Sequence, residues 1–136
     1  MKNFIVLFFI ASCLIAVTCS KDKKSERFKL LTTPVWATDS LLANGVDASG
    51  PGGILEKFKG DAKFKEDGTG NFGKYTGEWS FNTDETEITI VTDSLPIPII
   101  CNIDQLTVQS LKITTSVPNP ANFQEIFDIR MTFKAK

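Results

Sequence analysis

From Phe28 onward apolar and polar positions mostly alternate. Phe127, Ile129, Met131 and Phe133 interleave with Asp128, Arg130, Thr132 and Lys134, a period of two that sets one face of a strand against a core and the other in water. Residues 87–92 are rich in β-branched side chains, with Ile88 and Ile90 on one face, and predict another strand. Leu111 and Ile113, spaced by Lys112 and Thr114, predict a third. Ala62-Lys63-Phe64-Lys65 runs into Glu66-Asp67-Gly68, a hairpin signal because Asp and Gly tolerate positive φ. Residues 70–75 return from that turn, 77–81 follow at once, and 82–85 turn the chain into the strand at Glu87. The apolar run 97–103 is interrupted by Pro98; proline cannot donate to a ladder, so the run suits an edge or the start of a strand. Residues 35–42 read as a strand, and 54–59 as a strand or the one short helix. Segments 44–53 and 118–122, rich in Gly, Pro and Asn, read as loops. The fold expected is all-β: an antiparallel up-and-down meander of about eight strands that buries one face of each by closing into a barrel, with a β-sandwich as the alternative.

The first residues follow a different pattern. After Lys2, the run 4–17 (FIVLFFIASCLIAV) is apolar almost throughout, and beyond Cys19 the chain turns abruptly to Ser-Lys-Asp-Lys-Lys-Ser-Glu-Arg. A run of this length is short for a bilayer span and suits the apolar region of a secretory signal. A cysteine at the border resembles a bacterial lipoprotein signal, in which that residue is acylated and becomes the first of the mature chain. Ile10-Ala11-Ser12-Cys13 offers a second such box, but processing there would leave Leu14–Val17 as an apolar stub. Cys19 is the expected lipidation site, and an ordinary signal peptide or uncleaved anchor is the alternative. The expected organisation is a lipoprotein signal peptide at 1–19, a polar tether at 20–29 and one β domain at 30–136. Such a chain is held at the membrane by its N-terminal lipid, in the bacterial envelope and on the outer membrane, with the periplasmic or surface face open.

Charge narrows the partners. Residues 21–27 carry a net +2, and residues 28–136 hold 10 Lys and Arg against 14 Asp and Glu. A mildly acidic domain on a short basic stalk has no clustered positive footprint for nucleic acid. The chain contains no histidine and three cysteines. The absence of histidine removes Ser-His-Asp and Cys-His arrangements and the commonest zinc ligand.

The ordered series Leu30-Leu31-Thr32-Thr33-Pro34-Val35-Trp36, Asn44-Gly45-Val46-Asp47, Phe64-Lys65-Glu66-Asp67-Gly68-Thr69-Gly70 and Gly77-Glu78-Trp79-Ser80-Phe81, with the spacing Ile103, Leu106, Leu111, Ile113, resembles the lipocalin-like domain of small lipoproteins of the Bacteroidota. The resemblance extends over about residues 30–136. It implies a lipocalin-like barrel at the envelope and no defined activity.

Candidate chemistry is sparse. Asp84, Glu85, Glu87 and Asp93 straddle a predicted turn, where carboxylates are usually solvated rather than gathered on a cation. Glu66, Glu78 and Glu125 are possible acid–base carboxylates, but nothing in their positions nominates a pair. Cys101 sits in an apolar run and reads as a small core residue. No cofactor or metal is expected, and catalysis is not. The aromatics carry the functional question. Trp36, Phe64, Trp79, Phe81, Phe127 and Phe133 fall on predicted inward faces. Six large rings either fill an eight-stranded interior or line a mouth that takes a small hydrophobic ligand. A filled barrel would instead dock another envelope protein through loops such as 44–53 and 118–122.

Overall fold

The computed structural model describes residues 23–136. The expected signal peptide, Cys13, Cys19 and the first residues of the tether lie outside the described residues. One antiparallel sheet of nine strands makes up the domain: β1 (Trp36–Ala43), β2 (Val46–Asp47), β3 (Asp61–Phe64), β4 (Thr69–Phe72), β5 (Tyr75–Phe81), β6 (Glu87–Thr92), β7 (Ile99–Leu106), β8 (Ser110–Asn119) and β9 (Asn122–Ala135). Eight of them, β1 and β3–β9, form a closed ring, because β9 pairs back onto β1 from Trp36↔Ala135 to Ala43↔Ile129. The short β2 pairs with the far end of β1, at Leu42 and Ala43, where β3 no longer reaches it. The fold is an all-β meander closed as a barrel, and not a sandwich.

The alternation read in the sequence is the inside–outside pattern of this barrel. Ile88, Ile90, Leu111, Ile113, Ile129, Met131 and Phe133 are all buried, and Asp128, Arg130, Lys112 and Lys134 are exposed. Proline stops at the expected place: β7 begins at Ile99, directly after Pro98. The Asp-Gly hairpin forms with a three-residue loop. Lys65 and Thr69 are its last paired residues, and Gly68 alone takes a positive φ, 85°.

Three expectations need correction. Residues 70–75 are not one returning strand: Phe72 pairs with Tyr75 across a tight turn at Gly73-Lys74, with φ +61° at Gly73. Residues 118–122 are not an open loop but the tip of the longest hairpin, in which only Pro120 and Ala121 lie outside β8 and β9. Extended backbone was expected from Phe28, yet Glu26–Thr32 form a helix, α1, capped by Ser25, whose hydroxyl accepts from the Phe28 N–H at 3.0 Å. The doubtful segment at 54–59 contains a single 3₁₀ turn, Glu56–Phe58.

The two ends of the barrel differ. At one end α1 lies across the opening. The indole N–H of Trp36 donates to the Leu31 carbonyl at 2.9 Å, Leu31 is fully buried, and the Lys63 ammonium donates to the carbonyls of Thr32, Thr33 and Pro34 at 2.6, 3.0 and 3.1 Å. Arg27 donates to the Glu85 carbonyl and Ser25 to the Glu85 carboxylate, which fastens the helix to the β5–β6 turn. Among the described residues no such plug lies across the other end. Residues 48–60 cover the side above β3 and β4, with Leu55 and Phe58 turned inward and buried.

Candidate functional site

The six aromatics singled out from the sequence are core residues of the barrel. Trp36 and Phe64 are buried almost completely, and Trp79 and Phe133 are buried as well; Phe81 and Phe127 are half-buried and pack on the same core. Four rings gather at the helix end. Trp79 stands edge-on to Phe64 at 5.6 Å and to Phe81 at 5.3 Å, and Phe28 of α1 tilts over it at 5.6 Å. Edge-to-face contacts of this kind suit the opposite charge of ring faces and edges. The Trp79 indole N–H donates to the Lys65 carbonyl at 2.9 Å, so its polar atom is satisfied inside the core. Together with α1 these rings fill the closed half.

The carboxylates remain apart. Glu66 pairs with Lys24, Glu85 takes the Ser25 hydroxyl, and Glu125 accepts from Asn119 at 2.6 Å. Among the described residues no group of three or more Cys, Asp or Glu is placed to hold a metal ion. Cys101 is fully buried, and burial alone pushes its thiol up to about 12. It has almost no thiolate with which to react.

The open half is hollow for a topological reason. The β7–β8 ladder runs from Leu106↔Leu111 only as far as Asn102↔Thr114. Above that point β7 stays with β6, up to Ile90↔Ile99, and β8 stays with β9 to the hairpin tip. The two strands part like a V, bridged at its base by the Thr115 hydroxyl donating to the Ile100 carbonyl at 2.7 Å. Between the arms lies a cavity of about 590 Å³. One wall is Leu95–Ile100, the other Thr115–Pro118 with Pro120 and Phe123. Its floor is Leu55, Phe58, Tyr75, Ile129 and Met131. That volume falls within the range of small-molecule sites, and the lining is of the mainly apolar kind such sites have. Three further depressions, of about 440 to 530 Å³, are lined by polar side chains and backbone such as Thr114, Asp128 and Arg130, or Thr69, Asn71 and Glu78.

None of the six aromatics lines this cavity. Sequence reading placed Ile129 and Met131 on an inward face but missed Phe58, Tyr75 and the two walls. A signal for one wall was present in the chain. Leu95-Pro96-Ile97-Pro98-Ile99-Ile100 is apolar without alternating, and a strand with water on one face does not read that way. Ile97 and Phe123 are 58% and 79% exposed, which marks an apolar rim rather than a sealed core.

No protein-family model matches the chain, and none of the curated proteins is significantly similar to it.

Proposed function

We propose that this chain is a lipid-anchored protein of the bacterial envelope whose lipocalin-like barrel binds a small hydrophobic molecule and does not transform it. The observation that carries the reading is the asymmetry of the barrel. One half is packed solid by aromatics and capped by α1, and the other holds an apolar cavity of about 590 Å³ that opens between β7 and β8. An eight-stranded interior has room for one small ligand, and apolar surface left in water is what such a guest would cover. The anchor at Cys19 and the outer-membrane location rest on the leader and on the ordered motifs that resemble lipocalin-like lipoproteins.

Native mass spectrometry of the full chain, purified gently from cells, tests the reading. The expected result is an added mass of a few hundred daltons that leaves on denaturation and is lost when Ile99→Trp fills the cavity. A bare chain, unchanged after incubation with sterol-like, haem-like and fatty compounds, would refute it. A second reading has one observation in its favour: Phe123 and Ile126 leave apolar surface exposed on the β8–β9 hairpin. If that hairpin docks another envelope protein, Ile126→Ser, at an exposed position outside the cavity lining, removes a stoichiometric protein partner and leaves the added mass untouched.

A further inference from the structure

We propose that the cavity selects uncharged apolar molecules that carry a hydroxyl or carbonyl oxygen, such as long-chain alcohols or sterol- and quinone-like compounds, over ionised fatty acids. The inference rests on the ligand-binding reading above and adds the chemical class of the guest.

Two features of the lining carry it. First, no Asp, Glu, Lys or Arg is among the residues that line the cavity. A carboxylate drawn inside would give up its hydration and meet no compensating charge, a cost the neutral oxygen of an alcohol or ketone avoids. Second, one polar side chain there is left over. The protons of the lining hydroxyls of Thr115 and Ser116 are already committed, to the Ile100 carbonyl at 2.7 Å and the Asp128 carboxylate at 3.1 Å. Tyr75 is only 8% exposed, and its ring packs on Phe58 with centroids 4.7 Å apart. Its hydroxyl has no hydrogen-bond partner among the described residues, whereas a buried tyrosine usually finds one. A guest oxygen supplies that partner.

The surroundings agree. Burial holds the Tyr75 phenol above its ordinary value of 10.0, so it stays a neutral group able to donate as well as accept. On the neighbouring strand the inward-facing Thr92 hydroxyl is buried and also unpartnered among the described residues. Thr92 pairs with Gly77, which makes it the diagonal neighbour of Tyr75 on the barrel wall. Tyr75 is part of the cavity lining, and Thr92, which is not, sits beside it on the same wall of the open half.

Equilibrium dialysis of the full chain against radiolabelled dodecanol and laurate, two probes of equal chain length, decides the matter. Near neutral pH dodecanol is expected to bind at least ~10-fold more tightly, with laurate gaining as falling pH neutralises it. Tyr75→Phe keeps the ring on Phe58 and should weaken dodecanol by ~2- to 10-fold, the worth of one hydrogen bond, while leaving laurate unchanged. Equal affinity for the two probes near neutral pH would overturn the selectivity and leave the cavity as a binding site. An unchanged dodecanol affinity in Tyr75→Phe would overturn the role of the phenol. Failure of both probes to bind would overturn this inference together with the reading beneath it.

Discussion

Asp67 shows how one side chain sets a turn. Its carboxylate accepts the Thr69 hydroxyl at 2.6 Å and the Thr69 N–H at 2.9 Å, and these bonds, the hydroxyl's first, hold its carboxyl below the ordinary 3.8, with Lys65 adding a smaller pull. A carboxyl depressed by folding contributes stability that is complete above its unfolded value and fades as pH falls through its folded one. The unfolding midpoints of the native chain and Asp67→Asn should therefore differ by a constant amount above about pH 5 and converge in more acid solution. A gap independent of pH would show that the charge plays no part. Gly77 makes a different demand on its position: a Cβ there would sit 2.0 Å from the Val91 carbonyl oxygen, so β5 and β6 approach in a way no other residue permits. At this scale much was legible, for a local reason. Period-two alternation places Phe64, Trp79 and Phe133 inward whatever the rest of the chain does. Tyr75 escaped because its face depends on where the Gly73-Lys74 turn falls, and a slip of one residue turns every side chain to the other side.

Among the elements, α1 was hidden by its brevity and its charge. Ser25 and Glu26 are N-terminal signals, and Phe28, Leu31 and Thr32 share one face, but seven residues beside a charged run offer too little periodicity to tell a helix from a tether. What holds it is tertiary: the Trp36 indole on the Leu31 carbonyl and the Lys63 ammonium on three carbonyls at its C-terminal end. A cation at that end satisfies carbonyls the helix cannot and meets the negative pole of its dipole. Replacing the half-buried Lys63 by Met keeps the stem and removes the charge. It should cost about 1–2 kcal/mol and raise hydrogen exchange at residues 26–33 well before that of β8 and β9. Exchange that rises uniformly would mean that the plug has no independent stability. The β8–β9 tip was misread for the opposite reason. Pro118, Asn119, Pro120 and Asn122 are loop formers by composition, yet here they sit in an arm with free edges, where proline costs no ladder bond. The fork between β7 and β8, and with it the cavity, was not legible, since it depends on which neighbour each strand keeps and not on the pattern of either.

For the whole molecule, the polarity of the barrel bears on how an anchored chain would present its mouth. The described chain starts at the plugged end, where Lys24 pairs with Glu66 of the β3–β4 turn and its ammonium lies over the Phe28 ring. Cys19 precedes Lys23 by four residues, a reach of at most ~14 Å. β8 alone is ten residues long, about 33 Å along the strand and ~25 Å along a barrel axis tilted in the usual way. For a chain acylated at Cys19 the tether is too short to run up the flank and bring the mouth down to the bilayer. The basic stalk then lies near the headgroups, which attract it by about 1 kcal/mol per Lys or Arg, and the cavity faces water. Fluorophores on Glu66→Cys and Phe123→Cys, with the acylated chain on vesicles carrying headgroup spin labels, check this directly; buried Cys101 stays unlabelled. Quenching is expected at position 66 and not at 123, and Cys19→Ser should abolish it at 66. Equal quenching at the two positions would mean that the barrel lies on its side, with the β7–β8 cleft able to draw its guest from the membrane that holds it. If the mouth is turned away and the cavity binds as proposed, its guest would have to arrive through water or from another carrier, and for an uncharged molecule of low solubility the second route would be the faster.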